Sequence, residues 1–177
     1  GAPLGYGSTF TTPYLWQSTN FYVSALEPGT ILESAGRPAP VQGIGAQASN
    51  YGEVFTVNEY VTLQSVDVYP ITTAGQLSVS LYDSTYTLLE GPLFFDFPAP
   101  GYGTLTPYTL ALNFRIPPGS GYILLMNTLT GGNLLRETSN ITYPINNGSL
   151  VSLTAGATSL YGISNSVYNW FYNWRVV

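Results

Sequence analysis

The sequence predicts an all-β fold, an antiparallel β-sandwich or jelly roll. Apolar and polar residues alternate in several short runs, and clusters of Gly, Pro and Asn separate those runs. No stretch holds apolar residues at helical spacing without a Gly, Pro or β-branched interruption, so long helices are not expected.

The runs can be taken in order. Phe21–Leu26, Thr30–Glu33 and Glu53–Val57 open the series of predicted strands. From Tyr60 to Tyr69 the apolar phase moves from Val61 and Leu63 to Val66 and Val68, as a β-bulge near Ser65 would make it. Gln76–Tyr82 is cleaner: Leu77, Val79 and Leu81 face one way, and Gln76, Ser78, Ser80 and Tyr82 the other. Thr87–Glu90 is a further short run. In Thr109–Ile116 the inward set is Leu110, Leu112, Phe114 and Ile116, and Pro117, Pro118, Gly119 and Gly121 then end the strand. Tyr122–Asn127 is apolar on both faces, which predicts a central position in its sheet. Leu150–Thr154 and Tyr168–Val176 complete the series, with Tyr168, Trp170, Tyr172 and Trp174 predicted on one face and Asn169, Phe171 and Asn173 on the other. The Trp row is assigned to the core.

A chain of 177 residues fits one domain. At that size it buries roughly two-thirds of its unfolded surface and needs no disulfide, consistent with the absence of Cys. Residues 20–177 are read as the sandwich and residues 1–19 as an aromatic arm or linker. In that arm Tyr6, Phe10, Tyr14 and Trp16 stand among turn formers without a period. Packing on its own domain, packing on a neighbour and disorder all stay open for it, and Tyr6, Tyr14 and Trp16 are the candidate assembly residues. No apolar run is long enough to span a bilayer as a helix, and the first ten residues lack the pattern of a signal peptide. The expectation is a chain cut from something larger or one whose export signal has been removed.

Composition narrows function. The chain has no His, Cys or Lys, so most side chains used as bases, nucleophiles, Schiff-base formers and soft metal ligands are missing. Charged residues are only 7%, whereas hydrophobic residues are 45% and aromatic ones 15%, which suits contact better than proton transfer. A net charge of -5 disfavours nucleic acid and anionic membranes, because binding to phosphates needs a basic patch. Asp67, Asp83, Glu90 and Asp96 are the acids weighed for a glycosidase pair, but nothing in the sequence brings two of them into a cleft, and strand ends and turns are where acids are usually solvated. No cofactor is expected. A structural calcium ion is the metal the residue types suit best, through Asp, Asn and carbonyl oxygens, although no Asp-rich loop of fixed spacing occurs.

Four pieces of the chain also form a recognisable series: Leu63-Gln-Ser-Val-Asp-Val-Tyr-Pro70; Leu112-Asn-Phe-Arg-Ile-Pro-Pro-Gly119 with Tyr122; Leu134-Leu-Arg136 with Ile141-Thr-Tyr-Pro144; and Tyr168-Asn-Trp-Phe-Tyr-Asn-Trp174. In order and spacing the series resembles the β-sandwich repeat of very large exported surface proteins of Bacteroidetes, including gliding-motility adhesin-type proteins. The likeness runs from about Glu53 to the C-terminus and leaves residues 1–52 uncovered. It implies a non-enzymatic module displayed outside the cell by the type IX route, often joined to other β-domains. It further implies that Pro117, Pro118 and Gly119 form a turn, that Tyr143-Pro144 starts a strand, and that Trp170 and Trp174 close the core.

Candidate contact residues are Trp16, Arg136, Tyr143 and Tyr172. Arg136 suits a ligand or carboxylate clamp, and the plainer reading is a surface pair with Glu137. Ser84, in Asp83-Ser84-Thr85, is a candidate for O-glycosylation on an exposed turn, and Asn140-Ile-Thr142 and Asn147-Gly-Ser149 fit the N-glycosylation pattern. The expected role is an extracellular binding or assembly module on a bacterial cell surface. Its expected partners are neighbouring modules, identical subunits or surface glycans. The alternative is a self-assembling subunit such as a viral or phage capsid or fibre jelly roll.

Overall fold

The computed structural model describes residues 32–46, 48–101 and 105–177, all within the unit Ile31–Val177. The aromatic arm with Tyr6, Tyr14 and Trp16, the strand expected at Phe21–Leu26 and the start of Thr30–Glu33 lie outside these residues.

Among the described residues there are twelve strands and no helix. The long ones are β3 (Tyr51–Val57), β4 (Val61–Val68), β5 (Gly75–Tyr82), β6 (Leu88–Phe97), β7 (Tyr108–Ile116), β8 (Gly119–Thr130), β10 (Val151–Ser159) and β12 (Tyr172–Val176). Four have three residues each: β1 (Glu33–Ala35), β2 (Ile44–Ala46), β9 (Leu134–Arg136) and β11 (Gly162–Ser164). The alternation read from sequence sets the buried faces. Leu77, Val79 and Leu81 of β5 are wholly buried. On β7, Leu110, Leu112, Phe114 and Ile116 are buried while Thr109, Ala111, Asn113 and Arg115 are exposed.

The strands form a four-stranded sheet in the order β1-β12-β4-β7, a six-stranded sheet in the order β11-β10-β3-β8-β5-β6, and the small pair β2-β9, all antiparallel. Taken in chain order, β1, β3, β4, β5, β6, β7, β8 and β12 are divided between the two large sheets in a definite way. First, eighth, third and sixth stand side by side in one, and second, seventh, fourth and fifth in the other. This is the double Greek-key order of a jelly roll. The segment between β8 and β12 adds β10 and β11 beyond β3, widening the larger sheet.

Between the sheets lies one apolar core in which Val79, Leu112, Phe114 and Trp170 meet as expected. The central position expected for Tyr122–Asn127 also holds, since β8 runs between β3 and β5. Near Ser65 the β4–β7 register shifts as anticipated, and Leu63 and Val66 both face the core.

Several expectations are corrected. Gly119 and Gly121 do not end a strand but belong to β8; Gly121, at φ +76°, is the extra residue where the β3–β8 register shifts, a conformation glycine adopts at little cost. β6 continues through Pro92 because it is an edge strand, where a missing N–H is tolerated. Tyr143-Pro144 starts no strand and precedes an isolated bridge between Ile145 and Leu153. Only Tyr172–Val176 of the C-terminal segment is a strand. Trp170 sits at φ 63°, which breaks the period, so Asn169 and Phe171 are buried along with Tyr168, Trp170 and Tyr172.

Candidate contact surface and the polar groups behind it

Among the described residues three carboxylates are buried, and each is held by donors from distant parts of the chain. Asp67, read as a polar residue of the Tyr60–Tyr69 run, lies within β4 and is buried; it accepts from the Thr109 hydroxyl at 2.6 Å and from Asn173 Nδ2 at 2.7 Å. Glu137 does not pair with Arg136. Its Oε2 lies 3.1 Å from Arg37 Nε, and its Oε1 accepts from the Val41 and Gln42 amides, both at 3.1 Å, so it clips the loop before β2 in place. Glu53 of β3 has no solvent exposure and accepts from the Asn169 amide at 2.5 Å, while its Oε2 lies 2.6 Å from the Tyr143 hydroxyl. Burial pushes the Glu53 carboxyl well above its ordinary range, against the opposing effect of those two bonds.

A solvent-open depression of about 300 Å³ lies over this region, lined by Arg37, Pro38, Asn140, Thr142, Ile145 and Asn147. No carboxylate is among its lining residues. Two acids flanking an open cleft, the arrangement a glycosidase requires, are not what this depression offers. Asn147 Nδ2 donates to the Gly36 carbonyl, and Arg37 Nη1 to the Asn140 carbonyl at 3.2 Å, so both candidate N-glycosylation asparagines border one depression. Among the described residues no group of three acidic side chains gathers as a metal site.

The residues singled out from sequence fall in different places. Tyr172 is fully buried and its hydroxyl lies 3.4 Å from Glu137 Oε2. Tyr143 is half-buried and committed to the Glu53 contact. The Arg136 guanidinium lies over the Tyr51 ring at 5.2 Å, and Tyr51 in turn meets Trp170 edge-on at 6.4 Å. These three thus hold the region around the C-terminal aromatics together. Ser84 is exposed on the turn between β5 and β6, where the Asp83 carboxylate accepts from the Thr85 and Thr87 amides at 2.8 and 2.9 Å. The Thr85 hydroxyl, foremost, and these amides hold the Asp83 carboxyl below its ordinary range. Trp16 lies outside the described residues.

The feature that sequence reading missed is on the outer face of the six-stranded sheet. Strand register lines up Leu88, Tyr82, Ile123, Val54 and Ala155 across β6, β5, β8, β3 and β10. A second row joins Ser80, Leu125, Gly52, Ala157 and Ile163 across β5, β8, β3, β10 and β11. Ile123, Leu125 and Ala157 are buried in a separate apolar cluster, with Val54, Tyr82 and Leu160 packed against it. The rows end in exposed apolar side chains, Leu88 at 46% and Ile163 at 69% of full exposure. The β10–β11 hairpin then brings Tyr161 against Tyr86 of the β5–β6 turn, rings 4.7 Å apart at 73°. Both rings remain open, Tyr86 at 44% and Tyr161 at 74%. A single aromatic on a turn is unremarkable in a sequence, and only the fold brings these two together.

Compared with protein-family models, curated proteins and solved structures, the chain finds no match in any of the three.

Proposed function

We propose that the chain is a non-enzymatic contact module of an exported bacterial surface protein, working through protein or glycan contacts at the outer face of its larger sheet. The observation that carries this reading is the Tyr86–Tyr161 pair, two solvent-open rings joined across separate hairpins, with Leu88 and Ile163 also exposed on the strands that follow those turns. Flat rings with a polar tip stack on sugar faces and anchor protein interfaces at small entropic cost. A surface poor in charge supports the same reading, and so does the absence of imidazole, thiol and amine side chains. The extracellular setting rests on the motif resemblance to Bacteroidetes surface repeats. Its partners on this reading are neighbouring modules, identical subunits or surface glycans. The test is a panel of immobilised polysaccharides and glycans screened for both capture and cleavage. Capture without cleavage is expected, and turnover of any member would overturn the reading.

A second reading is a self-assembling structural subunit. The double Greek-key strand order favours it, since capsid proteins use that architecture, although the fold by itself does not carry a function. Regular particles in electron micrographs of the purified chain would decide for it.

A further inference from the structure

The Tyr143 hydroxyl faces two acceptors and has one hydrogen. It lies 2.6 Å from Glu53 Oε2 and 2.9 Å from the Val167 carbonyl. If Glu53 were ionised, one of those two oxygens would face the hydroxyl without a proton, and a full charge would sit at a position with no solvent exposure. A proton on Oε2 resolves both problems. The acid then donates to the Tyr143 oxygen, Tyr143 donates to Val167, and Glu53 Oε1 still accepts from the Asn169 amide at 2.5 Å.

We propose that Glu53 is a proton-held latch: the protonated acid ties Tyr143 to β3 and to the segment before β12, and loss of that one proton frees the loop of residues 140–147. Burial, which raises the Glu53 carboxyl well above its ordinary value of 4.5, agrees with the hydrogen count. The ionisable groups around it are the phenols of Tyr143, Tyr168 and Tyr172, all raised chiefly by burial and so neutral themselves. The charged groups are Arg37 and Glu137, which pair with one another at 3.1 Å. Ionised Glu53 therefore gains no direct cation.

The side that yields follows from the fold. Glu53 is fixed in β3 between β10 and β8, whereas residues 140–147 belong to no strand and are held by the Ile145–Leu153 bridge, by bonds with Gly36, Arg37 and Ser152, and by Ile141 and Ile145 against the edge of the core. Four of the residues lining the depression, Asn140, Thr142, Ile145 and Asn147, belong to that loop. Raising the pH thus acts on the shape of the depression, independently of any contact made by Tyr86 and Tyr161.

The test uses the whole chain. Carbon-13 spectra of the side-chain carboxyls, with Glu53 assigned through Glu53→Gln, should show Glu53 still protonated at about pH 6, where a free glutamate is ionised. Glu53→Gln keeps both bonds, because the amide donates to Tyr143 and its carbonyl accepts from Asn169. Hydrogen exchange across residues 140–147 should then lose about tenfold or more protection in the wild type, relative to Glu53→Gln, as pH rises through the Glu53 titration. Titration of Glu53 in the ordinary carboxylate range would overturn the proposal, and so would parallel exchange in the two proteins. If the variant fails to fold, Glu53 is assigned by through-bond correlation to its own backbone in the wild type, and exchange across residues 140–147 that does not follow its titration overturns the proposal.

Discussion

Trp174 of β12 meets Phe55 of β3 edge-on, with ring centroids 5.1 Å apart and planes at 69°. One ring belongs to the four-stranded sheet and the other to the six-stranded sheet, so the contact ties the two halves of the sandwich together. Both residues have no solvent exposure. Aromatic pairs in this geometry contribute about 0.5–1.5 kcal/mol beyond their buried area. A double-mutant cycle of Phe55→Leu and Trp174→Leu should give a coupling of that size in denaturant melts, about 0.5–1.5 kcal/mol. Additive losses would show that the rings stabilise the fold separately.

Gly52 of β3 has no room for a side chain against β8. A Cβ built there would lie 1.9 Å from the Leu124 carbonyl oxygen, a backbone atom that cannot turn aside. Gly52→Ala must therefore push two central strands apart, and the expected cost is about 3 kcal/mol or more. Thermal and denaturant melts measure it, and a loss below about 1 kcal/mol would mean that the strands part easily.

How far the sequence reveals this molecule depends on how local the cause is. Period-two alternation is a property of neighbouring residues, which is why the inward faces of β5 and β7 and the doubly apolar β8 are legible. The C-terminal aromatics are not, because Trp170 adopts φ 63° beside an Asn169 whose amide bonds to Glu53, 116 positions earlier in the chain. Nothing local to Asp67, Glu53 or Glu137 marks them as buried, because the donors that hold them lie far along the chain. Strands of three residues, such as β9 and β11, are too short for a period to register. The Tyr86–Tyr161 contact lies beyond any local pattern, since it needs two hairpins from opposite sides of one sheet.

On the acid side, stability should depend on Glu33. Its carboxylate accepts from the Ser149 hydroxyl at 2.8 Å and from the amides of Leu150 and Ser149 at 3.0 and 2.9 Å. The Ser149 hydroxyl, foremost, and the Leu150 amide hold this carboxyl below its ordinary value of 4.5. A depressed folded value means that the stabilisation is fully present above the unfolded value and is lost as pH falls through the folded one. Glu33→Gln should therefore flatten the fall in melting temperature below about pH 4.5 while leaving the alkaline side unchanged. Parallel curves for the two proteins would remove Glu33 from the acid response.

The contact surface itself is tested most directly by removing its two rings. Tyr86→Ala together with Tyr161→Ala leaves both sheets and the main core intact, since each side chain is substantially exposed and neither belongs to that core. The measurement is binding of the chain, wild type and double variant, to immobilised bacterial surface polysaccharides and to a second copy of the wild-type chain, with a melt of each protein alongside. Wild-type binding to at least one of these probes is expected, weakened by about tenfold or more in a double variant that melts like the wild type. Undiminished binding by the double variant, or no binding by the wild type to any probe, would contradict that expectation.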